Sequence, residues 1–178
     1  MTMSSRSFFV TPAVPVRRLA LALVLAAGAA APTALATPGS GILSAPVVAR
    51  GAFVDVTDLK FKITGHGQEV IHVNGSADTV VQQVVFAPGG VFGWHSHPGP
   101  VVVVIKSGEL AFYEADDPTC TPRIYVAGDV FVDSGQGHVH FARNPSTTDN
   151  LELWATYFDV PPSASPRIDA PDPGNCTF

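Results

Sequence analysis

The sequence predicts a single all-β domain, built as a sandwich or barrel of short strands. The 178 residues include 16 Gly and 16 Pro, too many for a helical bundle but typical of short strands joined by turns. Segments rich in β-branched and aromatic residues recur about every 8–12 residues, bounded by Gly, Pro, Asp or Asn. No amphipathic helical pattern interrupts them. The chain length suits one domain.

Residues 1–36 have the layout of a secretory signal peptide. Arg17 and Arg18 precede an apolar run of 13 residues, Leu19 to Ala31, and Ala34-Leu35-Ala36 forms an A-x-A cleavage site. The run is too short for a membrane-spanning helix, which needs about 20 residues. We therefore expect cleavage near Ala36 and a secreted or extracytoplasmic mature protein that is not held in a membrane.

The mature chain divides by composition into three parts. Residues 37–52 are expected to form an irregular N-terminal arm, residues 53–160 a β-barrel, and residues 161–178 an extended tail, in which five of 18 residues are Pro. The predicted strands are Leu59–Thr64, Thr79–Phe86, Val101–Ile105, Leu110–Glu114, Val130–Asp133, Val139–Ala142 and Leu151–Val160.

The charge balance excludes two classes of partner. Without residues 1–36, the remaining 142 residues carry 7 basic and 15 acidic side chains, a net charge of −8. Nucleic-acid binding needs a basic surface, and so does attachment to an anionic membrane surface. We therefore expect a small-molecule ligand or substrate, with no nucleic acid and no membrane as partner.

Two cysteines, Cys120 and Cys176, lie in polar, Pro-rich segments. A single pair in an exported protein favours a disulfide that ties the tail to the barrel, and two free thiols are the alternative.

Four of the six histidines fall in two short segments, GWHSHPGP and GQGHVHFARN. His95 and His97 share one strand face because residues i and i+2 of a strand project to the same side. His138 and His140 form a similar pair that a neighbouring strand can bring alongside. Neutral imidazole suits Zn, Cu, Fe, Ni and Mn, so the two pairs predict one divalent transition metal. A metal-free barrel whose histidines hydrogen-bond one another is the alternative.

Three histidines are less clearly placed by the sequence. His138 can be a fourth ligand, a catalytic base beside the metal or a solvated residue at the strand end. His66 and His72 lie in a Gly-rich stretch and are expected at the surface.

Glycines at fixed distances from these histidines resemble the two motifs of the cupin superfamily. In the first, G-x5-H-x-H-x3-E-x6-G, the matching residues are Gly89, His95, His97 and Gly108. In the second, G-x5-P-x-G-x2-H-x3-N, they are Gly128, Gly137, His140 and Asn144, with one extra residue after Gly128 and Gly135 in place of Pro. The resemblance implies a double-stranded β-helix, or jelly-roll, barrel with a metal bound by His95, His97 and His140.

The glutamate ligand of the first motif is missing, since Val101 stands at its position. No acidic residue replaces it within that strand, and Glu109 follows the turn. Three neutral ligands leave a divalent ion with a net charge near +2, which strengthens it as a Lewis acid. Val101, Val103 and Ile105 share one face, so the cavity beneath the metal should be apolar.

Two functions are consistent with this site. The first is a metal-dependent, oxygenase-like or Lewis-acid enzyme acting on a small molecule, with His138 as the catalytic acid or base; the metal can be Fe, Mn, Zn, Cu or Ni. The second is a non-catalytic module that binds a small ligand or metal. The resemblance also allows a homodimer.

The remaining pocket candidates follow from composition and parity. Gln83, Phe92, Tyr113 and Trp154 are candidates to line the pocket, although core packing is the alternative for the aromatic residues. Trp94 has the opposite parity to His95 and should pack away from the site. Asn144 is expected to fix a turn.

Overall fold

The computed structural model describes residues 36–64 and 69–178. The predicted signal peptide up to residue 35, and His66, lie outside the described residues. The described part is all-β, as predicted. Its strands are β1 Ser40–Ser44, β2 Val47–Ala52, β3 Leu59–Ile63, β4 Glu69–Val73, β5 Asp78–Ser96, β6 Val101–Ser107, β7 Glu109–Glu114, β8 Arg123–Val126, β9 Val130–Asp133, β10 His140–Arg143, β11 Leu151–Val160 and β12 Ile168–Asp169.

Ten strands form one antiparallel sheet around the core. Its main order is β8-β7-β10-β5-β11-β6-β9, while β1, β2 and β12 add to β5, and β3 pairs with β4 in a separate hairpin. Inward side chains of β5, β6, β7, β10 and β11 belong to a single buried cluster, so the sheet curves around it. β11 shows the alternation clearly: Leu151, Leu153, Ala155 and Tyr157 are buried, whereas Trp154 points outward and is 37% exposed.

Strand β5 extends ten residues beyond the predicted end at Phe86. The sequence after Phe86 contains Pro88, Gly89 and Gly90, which are typical of a strand end. In the structure they lie where β5 stops pairing with β11 and begins to pair with β10. Residues up to Phe86 pair with β11, whereas Val91 to His95 pair with β10. Proline and glycine are tolerated in a strand at such a corner. The second half of β5 brings His95, and His97 just after its end, towards β10.

The prediction of an irregular arm is wrong, because residues 37–52 contain β1 and β2, both antiparallel to β5. Their small, mostly exposed residues show no alternation of polar and apolar positions, so the pattern that identifies a strand is missing. The arm also constrains the second half of β5. Gly93 has a φ of +58°, and a Cβ there would collide with the carbonyl oxygen of Thr37.

The tail packs onto the barrel. Strand β12 pairs with Ser96 and His95 of β5, and Cys120 and Cys176 form the predicted disulfide, with their Cα atoms 5.3 Å apart. Cys176 lies in a second apolar cluster with Trp94 and Phe141, which confirms the packing role predicted for Trp94. Among the described residues there is no helix with the length and hydropathy needed to cross a membrane.

Candidate metal centre

Three histidines converge inside the barrel, and we call them the histidine cluster: His95, His97 and His140. His95 and His97 lie on one face near the end of β5, and His140 begins β10 directly opposite His95. Their exposed fractions are 2%, 5% and 3%. The Nε2 atoms of His95 and His140 are 3.1 Å apart, and the His97 ring centre is 5.0 and 5.1 Å from the other two. The structure therefore brings the three predicted ligands together.

Backbone carbonyls fix the orientation of two of these rings. His95 Nδ1 donates to the oxygen of Gly93 at 2.8 Å, and His97 Nδ1 donates to the oxygen of Pro166 at 2.7 Å. A carbonyl oxygen only accepts hydrogen bonds, so each Nδ1 carries the proton and each Nε2 keeps a free lone pair. This is the usual arrangement of a metal-binding histidine, whose other nitrogen is held by a second group.

The third ring has no tautomer that suits a metal-free cluster. His140 Nδ1 lies 3.6 Å from Asp133 Oδ1 and has no hydrogen-bond partner. In one tautomer, His140 Nε2 donates to His95 Nε2, and the lone pair on His140 Nδ1 then faces the Asp133 carboxylate. In the other tautomer, His140 Nδ1 carries the proton, and the Nε2 lone pairs of His140 and His95 face each other at 3.1 Å. A cation between the Nε2 atoms removes the conflict. The donor set therefore fits a transition metal.

Burial keeps the cluster neutral. It lowers the pKa of His97, lowers the pKa of His95 well below its usual range, and lowers the pKa of His140 to about 3. For His95, the neighbouring His140 and His97 add to the effect. Only the neutral ring binds a metal, so the cluster stays in its ligand form at neutral and mildly acidic pH.

A buried carboxylate that the sequence did not single out adjoins the cluster. Asp133 ends β9, is 3% exposed, and pairs in register with Val101 of β6. Its Oδ2 atom is 3.7 Å from His97 Nε2 and has no hydrogen-bond partner. Burial opposes ionisation of Asp133, but the surrounding histidines, His140 foremost, favour it and lower its pKa to about 2. The β9 strand was predicted, yet its register against β6 cannot be deduced from one sequence.

His138 lies outside the histidine cluster, but with Asp133 and His140 it forms a second group of possible metal donors, whose atoms lie within 4.8 Å of one another. Its Nδ1 atom is 3.3 Å from Asp133 Oδ1, its Nε2 atom is 3.7 Å from Glu114, and its side chain is 27% exposed. The hydrogen bond to Asp133 raises the pKa of His138 against the effect of burial. The ring borders a cavity of about 360 Å³, the acidic cavity, which also contacts Glu114, Asp116 and Asp133.

The inner cavity below the histidine cluster is apolar, as predicted, but small. Val101, Val103, Phe86 and Leu153 contribute to its wall, and its volume is about 40 Å³. Bulky inward side chains of the core leave this small volume below the cluster.

A second opening, the rim cavity, lies where the tail meets the barrel. Its volume is about 230 Å³, and it is bordered by His95, His97, Phe92 and Arg167. The Arg167 guanidinium lies 5.2 Å from the centre of the Phe92 ring, and its Nη1 atom is buried without a partner. Sequence reasoning missed Arg167 because only the fold brings the tail to this opening.

Of the other candidates from the sequence, one lines the cavities and the rest have structural roles or lie at the surface. Phe92 borders both the inner and the rim cavities. Gln83 instead donates to Glu152, and Tyr113 packs against Phe141. Asn144 donates to two backbone oxygens and accepts from Ser146, which confirms its role in a turn. His72 is exposed, as expected.

The family model described as a cupin domain matches residues 82–157, the stretch that holds the histidine cluster. Residues 82–157 are thereby identified as a cupin domain. The match and the sheet topology confirm the predicted all-β cupin barrel. No curated protein sequence matches this cupin.

Several solved structures are similar to part of this chain. A double-stranded β-helix protein of Klebsiella pneumoniae is 22% identical over 52% of this chain and 74% of its own, with a TM-score of 0.42. A cupin domain of Bordetella pertussis is 25% identical over 46% and 82%, with a TM-score of 0.39. An oxalate oxidase is 28% identical over 46% and 41%, with a TM-score of 0.39.

Proposed function

We propose that this protein is an exported cupin that binds one divalent transition metal through His95, His97 and His140. The observation that carries the proposal is the convergence of three buried rings, two of which have Nδ1 held by a backbone carbonyl. Fe, Mn, Zn, Cu and Ni all suit imidazole ligands. Export is supported by the disulfide, since disulfides persist in oxidising compartments.

We propose further that the metal-loaded protein acts on a small molecule from the rim cavity. When bound, such a metal supplies a Lewis acid or a centre for oxygen chemistry. Arg167 would bind a negatively charged group of the substrate through its free Nη1, and Phe92 would pack against the rest of the molecule. A cavity of about 230 Å³ restricts the substrate to a few heavy atoms, such as a short carboxylate.

His138 is the proposed proton carrier of this site. Its side chain is 27% exposed and hydrogen-bonded to Asp133, which lies against the histidine cluster, so it can exchange protons with solvent from the acidic cavity. His138 borders the acidic cavity and is not among the residues that line the rim cavity, so it would act through Asp133 rather than on the substrate itself.

A non-catalytic metal-binding or ligand-binding module is the second candidate. It is favoured by the inner cavity of about 40 Å³, which admits an ion and little else. The two candidates differ in turnover: an enzyme consumes oxygen or converts a small carboxylate, whereas a module only binds it.

Elemental analysis of the protein, purified from its native compartment, tests metal binding. We expect about one transition-metal ion per chain, and its loss in His95→Ala. His72→Ala is the matched control, because His72 is an exposed histidine on β4 and should leave the metal content unchanged. Unchanged metal in His95→Ala would refute the assignment. Oxygen uptake with short carboxylates then separates the enzyme from the module.

A further inference from the structure

The two groups of possible metal donors share one ring, that of His140. Its Nε2 atom faces His95 within the histidine cluster. The second group, which we call the outer group, consists of Asp133, His138 and His140. In it, His140 Nδ1 lies 3.6 Å and His138 Nδ1 3.3 Å from the same oxygen, Asp133 Oδ1. The two nitrogens of His140 therefore face two different sets of donors.

The spacing of the outer group suits a transition metal. Two donor atoms bound to one ion at about 2.0–2.2 Å lie roughly 3–4.4 Å apart. Both distances from Asp133 Oδ1 fall within that range, and the donor atoms of the group all lie within 4.8 Å of one another. Two histidines with one carboxylate are a set of protein ligands found in zinc enzymes, where water takes the fourth position.

One tautomer of His140 leaves the outer group in need of a cation. When the ring donates from Nε2 to His95, its Nδ1 atom keeps a lone pair, has no hydrogen-bond partner and faces the Asp133 carboxylate. His140 and Asp133 are each 3% exposed, so bulk water does little to screen this contact. A hydrogen bond from His138 to Asp133 does not remove the repulsion, whereas an ion held by the outer group does.

A neutral His140 ring can serve only one of the two groups at a time. It has one lone pair and one N–H, so it offers Nδ1 to the outer group only when Nε2 carries the proton. It offers Nε2 to the histidine cluster only when Nδ1 carries the proton, and the N–H then faces Asp133. An ion in one group therefore closes the other.

The acidic cavity gives the outer group access to solvent. His138 is 27% exposed, whereas the three rings of the histidine cluster are between 2% and 5% exposed. Arg123 borders the acidic cavity but is paired with Glu114. Carboxylates of four residues border it: Glu69, Glu114, Asp116 and Asp133. This charge distribution attracts a cation towards the outer group.

The same cavity adjoins the interior of the barrel. Asp133 and Phe112 border both the acidic and the inner cavities, and the Phe112 ring stacks on His140 with 4.7 Å between ring centres. The rim cavity also reaches the histidine cluster, but it is bordered by the positively charged Arg167. A divalent ion is therefore favoured in the acidic cavity over the rim cavity.

We propose that Asp133 Oδ1, His138 Nδ1 and His140 Nδ1 form a second metal site, through which a divalent ion passes from the acidic cavity to the histidine cluster. As the ion moves inward, His140 releases its Nε2 proton to water and takes one up at Nδ1, so the ring stays neutral. The role as an entry rests on the proposed metal site in the histidine cluster, whereas metal binding by the outer group does not.

A titration with Co²⁺, whose visible absorption reports its ligands, tests binding by the outer group. His95→Ala removes a cluster ligand and leaves the outer group intact, so this variant should still bind one added Co²⁺ reversibly. The double variant His95→Ala/His138→Ala should bind it at least about tenfold more weakly, since losing even an orienting partner costs roughly 10–100-fold. His95→Ala/His72→Ala, which removes an exposed histidine instead, should bind like His95→Ala.

Two results of this titration would overturn the proposal. The first is no Co²⁺ binding by folded His95→Ala. The second is equal affinity with and without His138, which would assign the ion to the remaining cluster rings. The ion of the outer group exchanges with solvent through the exposed His138, so it should be lost on purification, in agreement with the metal loss expected for His95→Ala.

The rate of Co²⁺ uptake tests the role as an entry. In stopped-flow mixing, His138→Ala should slow both uptake and release at least about tenfold, because an ion leaves by the route through which it enters. Its equilibrium affinity should change by no more than about threefold, below the effect of losing an orienting partner. His72→Ala should keep the wild-type rates. Unchanged rates in His138→Ala would overturn the entry role.

A measurement on wild type covers the case in which a variant does not fold. Metal-free wild type mixed with Co²⁺ should first show the spectrum of an ion bound by two histidines and a carboxylate. This spectrum should change to the final one at a rate independent of Co²⁺ concentration. Formation of the final spectrum in one step would refute the entry role and leave the histidine site intact. Absence of Co²⁺ binding by wild type would instead refute the proposed function.

Discussion

Removing the disulfide should destabilise the fold by a predictable amount. The bond joins residues 56 positions apart and closes a loop of that size between the turn after β7 and the tail. The chain-entropy relation gives about 4 kcal/mol for such a loop, and measured losses for native disulfides are about 2–5 kcal/mol. We therefore expect the double variant Cys120→Ser/Cys176→Ser to lose about 2–4 kcal/mol of unfolding free energy.

The assay is urea unfolding of metal-free protein, so that ligand binding does not contribute to stability. The slope of free energy against urea should rise in the variant, because the uncrosslinked unfolded chain exposes more surface. Cys120→Ala/Cys176→Ala serves as a second variant, since serine places a hydroxyl beside Trp94 in the second apolar cluster. Both variants should agree within about 1 kcal/mol, the usual size of one net hydrogen bond.

A loss below about 1 kcal/mol in both variants would refute the reasoning, because it falls under the range for native disulfides. It would mean that β12 and the packing of the tail restrain the chain without the covalent bond. A loss confined to the serine variant would point to the hydroxyl group rather than to loop entropy.

Three further predictions concern the site and its loops. In an NMR titration, the pKa of His138 should lie above its usual value of about 6.5 and fall to or below it in Asp133→Asn, since Asp133 stabilises the charged ring; an unchanged pKa would contradict the hydrogen bond. The lowered pKa values keep the cluster histidines neutral as the pH falls, so the pH at which half of the metal is released should lie below about 6. A half-release pH of about 6.5 or above would contradict this prediction. Gly135→Ala should cost at least about 1 kcal/mol more unfolding free energy than Gly137→Ala. Both glycines have positive φ, but only at Gly135 would a Cβ collide with backbone, at the carbonyl of Gly99. Equal losses of unfolding free energy in the two variants would contradict this prediction.

The sequence predicts those strands whose buried and exposed residues alternate along the chain. Alternation in Leu151–Val160 identified β11 within its observed bounds, and i,i+2 parity placed His95 and His97 on one face. Strands β1, β2, β4, β8 and β12 were not predicted. β1 and β2 lack a hydrophobic period, because their stability comes from backbone pairing with β5 rather than from a buried face.

The parts of the site that depend on long-range register lay beyond sequence reasoning. Asp133 adjoins the cluster only because β9 pairs with β6 in one register. Pro166 and Arg167 reach it because the tail folds back onto β5. A single sequence contains the residues but not these pairings.

The central claim is that three imidazole rings share one ion inside the barrel. Anomalous X-ray diffraction, at the absorption edge of the metal identified by elemental analysis, tests it most directly. The account predicts one anomalous peak, about 2.0–2.2 Å from the Nε2 atoms of His95, His97 and His140. A peak elsewhere, or a refined structure of metal-containing protein with no peak among these atoms, would contradict it.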